Sequence, residues 1–341
     1  MPVAKAKLSA IASFPPHYFL ENLAVRSDDS LIVSDLTRNG LWYLPPAGAG
    51  ETVQPVRLAL FEQPTLCVIE TDPDVFIVAT SNAYTTHESY LYRLDLRGWT
   101  PGSSVRPELV LEFPSIVQGL NGGCVIGPGV ILLADCFAGL IWRVDPRPDG
   151  GAIPSVWLKH YSMGHDPNGG KLADQPGING LKYIARSGHL YYTSTWHKLF
   201  MRVRVDPITL AALGEPEMVA SGYWYDDFCI DEAAGVAYVT THRENTIEMI
   251  WLEPGRNVST EPPGDGVTST GQRGMTVAGD PFDDVLVGPS SGAWGRLPGE
   301  HGRVAFFTTD GGTKVAPADG IVRPAKVLRV EFADPAVAAP G

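Results

Sequence analysis

Residues 121–146 read Asn121-Gly-Gly-Cys-Val-Ile-Gly-Pro-Gly-Val-Ile-Leu-Leu-Ala-Asp-Cys-Phe-Ala-Gly-Leu-Ile-Trp-Arg-Val-Asp-Pro146. A polar residue leads into a short apolar run, a Gly-Pro-Gly turn reverses the chain, a second apolar run ends in small polar residues, and a third closes on Asp-Pro. Apolar runs this short, bounded by turn formers, read as β-strands joined as hairpins. The unit is also not unique, and its repetition decides the fold.

Working outward, the same pattern recurs as ENLAVRSDDSLIVSDLTRNGLWYL from Glu21 and as PTLCVIETDPDVFIVATSN from Pro64, followed by LYRLDL. Further copies are NGLKYIARSGHLYYTSTWHKLFMRVRVDP from Asn179 and DDFCIDEAAGVAYVTTHRENTIEMIWL from Asp226. A more ragged sixth copy is RGMTVAGDPFDDVLV from Arg273, with RVAFFTT and KVLRVEF later. The starts at 21, 64, 121, 179, 226 and 273 are 43, 57, 58, 47 and 47 residues apart, near the roughly 40–50 residues of a four-stranded propeller blade. No convincing amphipathic helix interrupts them, which disfavours a βαβ sheet or a (β/α) barrel. The expectation is an all-β chain, 1–341 as one domain: a six-bladed β-propeller of four-stranded antiparallel blades. Its ring is expected to close through an N-terminal strand around 4–13, laid beside the C-terminal KVLRVEF so that no sheet edge is left open.

Composition narrows the partners. Lys and Arg number 26 against 38 Asp and Glu, a formal charge of −12, and no basic run occurs, so neither nucleic acid nor an anionic membrane surface is an expected partner. No stretch approaches the roughly 20 apolar residues of a membrane span and the N-terminus lacks an apolar signal core. The expectation is a soluble protein, monomer or weak dimer, cytoplasmic or secreted with a leader already removed. Cys67, Cys124, Cys136 and Cys229 show no zinc spacing and read as small buried hydrophobes; pairing of Cys124 with Cys136 on one hairpin stays open.

In a propeller the first strand of each blade runs along the axis, so equivalent positions form a ring. In the alignment above that ring is Glu21, Pro64, Asn121, Asn179, Asp226 and Arg273. Carboxylate and amide oxygens suit hard divalent cations, although Asn and Asp before a strand also serve as turn formers. Arg273 would bring a permanent guanidinium close to Glu21 and compete with a metal for it.

The ENL, LNGG, INGL and DDFCID segments resemble the ligand-bearing motifs of the regucalcin and gluconolactonase family. That resemblance implies a divalent cation (Ca²⁺, Mg²⁺, Mn²⁺ or Zn²⁺) held by Glu21, Asn179 and Asp226, with Asn121 touching the substrate, in a lactonase or esterase. ENLAVR, LNGG with LADC and GLIWRVD, GINGLK and DDF are most similar to fungal propellers that include hetero-Diels–Alderases, which join a tropolone-derived quinone methide to a macrocyclic terpene. This second resemblance implies a cyclase needing no cofactor, in which Arg273, Asp226, His242 and Asn121 act as donors and acid or base.

Loops expected at the funnel mouth are rich in rings: Tyr18, Tyr84, Phe137, Trp196, His197, Tyr223, Trp224 and Tyr225, with Met163 in a long segment before Asn179 that would form a lid. Flat rings with polar edges suit hydrophobic small-molecule substrates, although such rings also pack between blades. A third reading is a ligand-binding propeller without chemistry. Gly288-Pro-Ser290-Ser-Gly292 spells a serine-hydrolase motif but lacks the helix such an elbow needs, and is expected to be a chance match in a loop.

Overall fold

The computed structural model describes residues 5–165, 175–253 and 274–333. Six four-stranded antiparallel sheets stand in a ring. The innermost strands of blades one to six are Leu20–Val25, Thr65–Asp72, Leu120–Gly127, Ile178–Ile184, Tyr225–Asp231 and Pro289–Trp294. In the first five blades the chain runs outward strand by strand. In blade six the outermost strand is Lys7–Pro16, paired antiparallel with Pro324–Glu331, so the two ends of the chain complete one sheet and remove the seam, as expected. No helix among the described residues is long and apolar enough to cross a membrane.

Burial explains the ring. A blade has two apolar faces, and each is covered by the next blade: Cys229, Tyr238 and Met249 of blade five meet Phe307 and Leu328 of blade six. Cys124, Leu132 and Ile141 of blade three likewise meet Leu181, Tyr192 and Met201 of blade four. Each of the six apolar clusters lies between adjacent blades, so closure of the circle leaves no face uncovered. All four cysteines are buried free thiols; Cys67, Cys124 and Cys229 lie within these layers, and Cys136 lies beside the axial cavity.

Blade six corrects the sequence alignment. Met275–Gly279 is the outer strand of blade five, hydrogen-bonded to Thr246–Trp251, and Arg273 lies outside the described residues. The true inner strand of blade six is Pro-Ser-Ser-Gly-Ala-Trp, which contains the motif expected to be a loop. Its glycine is set by the neighbouring strand: a Cβ on Gly292 would stand 2.4 Å from the ring of its cross-strand partner Phe307. A strand so poor in large apolar residues gives no hydrophobic signal.

The inner strands share one irregularity that builds the site. In blades one to five the ladder to the second strand breaks after the first pair, between Leu20 and Leu23, Thr65 and Val68, Leu120 and Gly123, Ile178 and Leu181, and Tyr225 and Phe228. In blade six it breaks between Pro289 and Ser291. Such bulges re-aim side chains. The ring just past the first pair is therefore Glu21, Leu66, Asn121, Asn179, Asp226 and Ser290, with Leu66 in place of the expected Pro64 and Ser290 in place of Arg273.

The next ring, Asn22, Cys67, Gly122, Gly180, Asp227 and Ser291, closes the axis. Asp227 accepts from Lys182 Nζ at 3.0 Å through both oxygens, from Asn22 Nδ2 at 2.9 Å and from Ser291 Oγ at 2.8 Å. Glycine is needed where blades touch: a Cβ on Gly180 would lie 2.4 Å from Asp227 Oδ1. This plug forms the floor on which the site stands.

Candidate active site

Above the plug opens a funnel of about 570 Å³, counted with its mouth, within the roughly 300–1,000 Å³ of small-molecule sites. Glu21, Asn121, Asn179 and Asp226 line it, as do His242, Tyr84 and Trp224, seven of the residues expected there. Apolar walls come from Phe19, Leu36, Leu66, Ala83 and Leu120, and two cations, Arg243 and Lys314, stand among the lining residues.

The remaining expectations fall elsewhere. Met163 is wholly buried between blades three and four, and Tyr225 between blades four and five. Tyr18 packs on Phe14 and Trp42 in the layer between blades six and one; its neighbour Phe19 takes the funnel position. Tyr223 abuts Tyr225, and His197 meets Tyr161 edge-on, so Trp224 is the member of its triplet that lines the funnel. Phe137 and Trp196 flank His165 at the rim without lining the cavity. The expected lid falls largely on residues 166–174, outside those described.

A second ring follows from the same register. The residues after the second-strand partners of the inner strands are Leu36, Ser81, Cys136, Thr195, His242 and Asp310. Blades five and six are neighbours, so His242 and Asp310 meet: His242 Nε2 lies 3.2 Å from Asp310 Oδ2, with both side chains almost wholly buried. Asp310 is held by its own turn, accepting from the backbone of Gly312 and Lys314 at 2.7 Å each. Asp35 and Asp135 hold the matching turns in blades one and three. Asp310 itself stands one residue further on, level with Leu36 and Cys136, so no recurring residue type marks it in the sequence.

The electrostatics are those of a proton-rich cluster. Burial pushes the Glu21 carboxyl up to about 7, with Asp227 and Asp310 reinforcing it against His242. Burial and then the Glu21 charge raise Asp226 well above the carboxylate range. Burial opposes the His242 imidazolium, yet Asp310 first, then Asp226 and Glu21, hold it at about 9. Near neutrality the site thus has a protonated imidazole and two carboxyl groups able to carry protons. His242 also stacks on Phe19, ring centres 5.6 Å apart.

Neither Cys136 nor Ser290 is set up as a nucleophile. Burial raises the Cys136 thiol well above its ordinary range, leaving no reactive thiolate. Ser290 Oγ donates to the Leu20 carbonyl and bonds Thr308 within a strand, so it is a blade-to-blade fastener.

A cation fits the donor set. Among the described residues no group of three His, Cys, Asp or Glu side chains is placed to hold a metal ion, so the amide oxygen of Asn179 would have to join Glu21 and Asp226. Asp226 Oδ1 is buried without a hydrogen-bond partner, the orphan acceptor that a hard ion would satisfy.

Fold and site together define a six-bladed β-propeller with an apolar axial funnel over a buried acid cluster. Over 251 residues the chain is 27% identical to the Sarocladium schorii protein described as "Putative hetero-Diels-Alderase asR5", covering 64% of this chain and 60% of that relative's length. No protein-family model matches. Among solved structures it superimposes on a gluconolactonase of Xanthomonas campestris (TM-score 0.61, 12% identity, 97% of this chain and 91% of that one). It also superimposes on regucalcin of Agrobacterium tumefaciens (TM-score 0.59, 14% identity, 98% and 96%) and on a luciferin-regenerating enzyme (TM-score 0.61, 14% identity, 96% and 95%). At these identities the structural likeness is one of fold.

Proposed function

We propose that the protein is an enzyme, a natural-product cyclase that runs a hetero-Diels–Alder addition between a quinone-methide-type arene and an apolar alkene in the axial funnel. The observation that carries this reading is the placement of His242, paired with Asp310, beside Glu21 and Asp226 at the base of a cavity with apolar walls formed by Phe19, Leu36, Leu66 and Leu120. The likeness to the Sarocladium protein supports it.

The chemistry suits those residues. A hydroxymethyl arene loses water when an acid, His242 or a protonated carboxyl, protonates the leaving hydroxyl and the C–O bond breaks. A carboxylate, Asp226 or Glu21, takes the proton of the ring hydroxyl, so the net loss is one water. The resulting O=C–C=C unit adds across the alkene, forming one C–C and one C–O bond with no net proton change. Hydrogen bonds from His242 and the Asn121 amide to the carbonyl oxygen draw electron density from the heterodiene. Phe19, Leu66, Leu120 and Trp224 hold the two partners face to face, which removes much of the entropic barrier.

Metal-dependent lactone hydrolysis is the second reading, favoured by the orphaned Asp226 Oδ1. Glu21, Asn179 and Asp226 would hold the ion, which supplies Lewis-acid polarisation of a lactone carbonyl when bound. One experiment separates the two: the purified protein is offered hydroxymethyl-arene and alkene pairs in one vessel and glucono-lactone in another, with and without EDTA. Chiral chromatography should reveal a single adduct enantiomer formed faster than in buffer. Racemic adduct at the buffer rate, with EDTA-sensitive lactone opening, would establish the alternative instead.

A further inference from the structure

The funnel's rim is cationic in an acidic protein. Arg243 Cζ lies 4.0 Å and Lys198 Nζ 4.9 Å from the centre of the Trp224 ring. From blade six, Lys314 Nζ reaches to 4.3 Å over the Tyr84 ring of blade two. Arg243, Lys314, Trp224 and Tyr84 all line the funnel, and among the described residues neither Arg243 nor Lys314 forms an ion pair. Thirty-eight acidic residues are available in the chain, so leaving these cations to rings rather than carboxylates is a specific arrangement. A guanidinium stacked on an indole uses its face and keeps its edge N–H groups for an acceptor. Rings on both sides hold the cations in place and partly desolvate them, which strengthens their bonds to an anion.

We infer that the rim formed by Arg243 and Lys314 binds an ionised acidic oxygen of the ligand, and that the substrate is an arene bearing a carboxylate or an acidic enol. Its anionic edge meets the loops and its neutral rings point down between Phe19, Leu66 and Leu120. The inference rests on the funnel being a small-molecule site and adds the charge of its ligand; it does not depend on which bond is made there.

The test uses 2-naphthoate and its neutral isostere 2-naphthamide, titrated calorimetrically into the full chain. Naphthoate should bind at least about tenfold more tightly, the order expected of a charge-assisted hydrogen bond, and added salt should narrow the gap. In an Arg243→Gln/Lys314→Gln variant with an unchanged melting temperature the preference should vanish while naphthamide affinity stays within about twofold. Equal affinity of the wild type for both probes, no saturable naphthoate binding, or a preference that survives in the double variant would each overturn the inference. A preference observed without any cycloaddition removes the cyclase reading alone, and cycloaddition without a preference removes this inference alone.

Discussion

Replacing Asp310 by Asn removes the charge that keeps His242 protonated while retaining the shape of the turn. The His242 imidazolium titrates at about 9 against an ordinary 6.5, a difference worth about 3 kcal/mol at about 1.4 kcal/mol per pH unit. Burial is the largest influence on this group and acts against the charge, so without Asp310 the pKa should fall to its ordinary value or below. A raised histidine pKa contributes stability that is complete below 6.5 and disappears as pH climbs through 9. The loss caused by Asp310→Asn should therefore be largest near pH 6 and about 3 kcal/mol smaller near pH 10. A residue of about 1–3 kcal/mol should persist at every pH, because an amide cannot accept from both Gly312 and Lys314. Urea unfolding across that range measures the stability difference, and NMR titration of the eight histidines, assigned by His242→Gln, measures the pKa. A stability difference flat with pH, or a wild-type His242 that titrates near 6.5, would refute the reasoning.

Three further perturbations follow from the same geometry. Asp227→Ala strips the axial plug of the acceptor shared by Lys182, Asn22 and Ser291, and leaving a half-buried ammonium uncompensated should cost about 3–5 kcal/mol in chemical denaturation; a cost under about 1 kcal/mol would show that the plug is not structural. Gly288→Ala puts a Cβ 1.8 Å from Asp310 Oδ1 at a positive φ of 61°, so it should both destabilise the fold and lower the His242 pKa, whereas an unchanged His242 titration would contradict the placement of Asp310. Glu21→Gln in EDTA-dialysed protein should be nearly neutral near pH 4.5 and stabilising by about 3 kcal/mol near pH 8. The wild-type carboxyl, raised to about 7, loses stability over that window as it ionises, and calorimetric scans at both pH values give the comparison.

Four of the six axial residues were legible in the sequence because a polar residue preceding an apolar run is visible wherever the inner strand is itself apolar. Glu21, Asn121, Asn179 and Asp226 stand out for that reason. Blade two was misplaced because the turn residue Pro64 precedes the strand, while the bulge selects Leu66. The inner strand of blade six was missed because Pro289–Trp294 carries small residues where the other inner strands carry large apolar ones, with Gly292 making room for Phe307 beside it, and this erases the hydrophobic pattern. Rings at the mouth were harder still. Whether Tyr18 or Phe19, or which of Tyr223, Trp224 and Tyr225, faces the funnel turns on a single-residue step, and a loop has no period to fix that step. Asp310 was out of reach of motif reading because its partner His242 belongs to another blade; only the pairing register puts the two at one level.

The most direct measurement is a crystal structure of the protein soaked with a stable dihydropyran adduct of a carboxylated arene. Density should place the ring oxygen within hydrogen-bond reach of His242, Glu21 or Asp226, the fused rings against Phe19 and Leu66, and the carboxylate on Arg243 or Lys314. An adduct bound outside the funnel, or turned with its carboxylate toward the axial plug, would contradict the account.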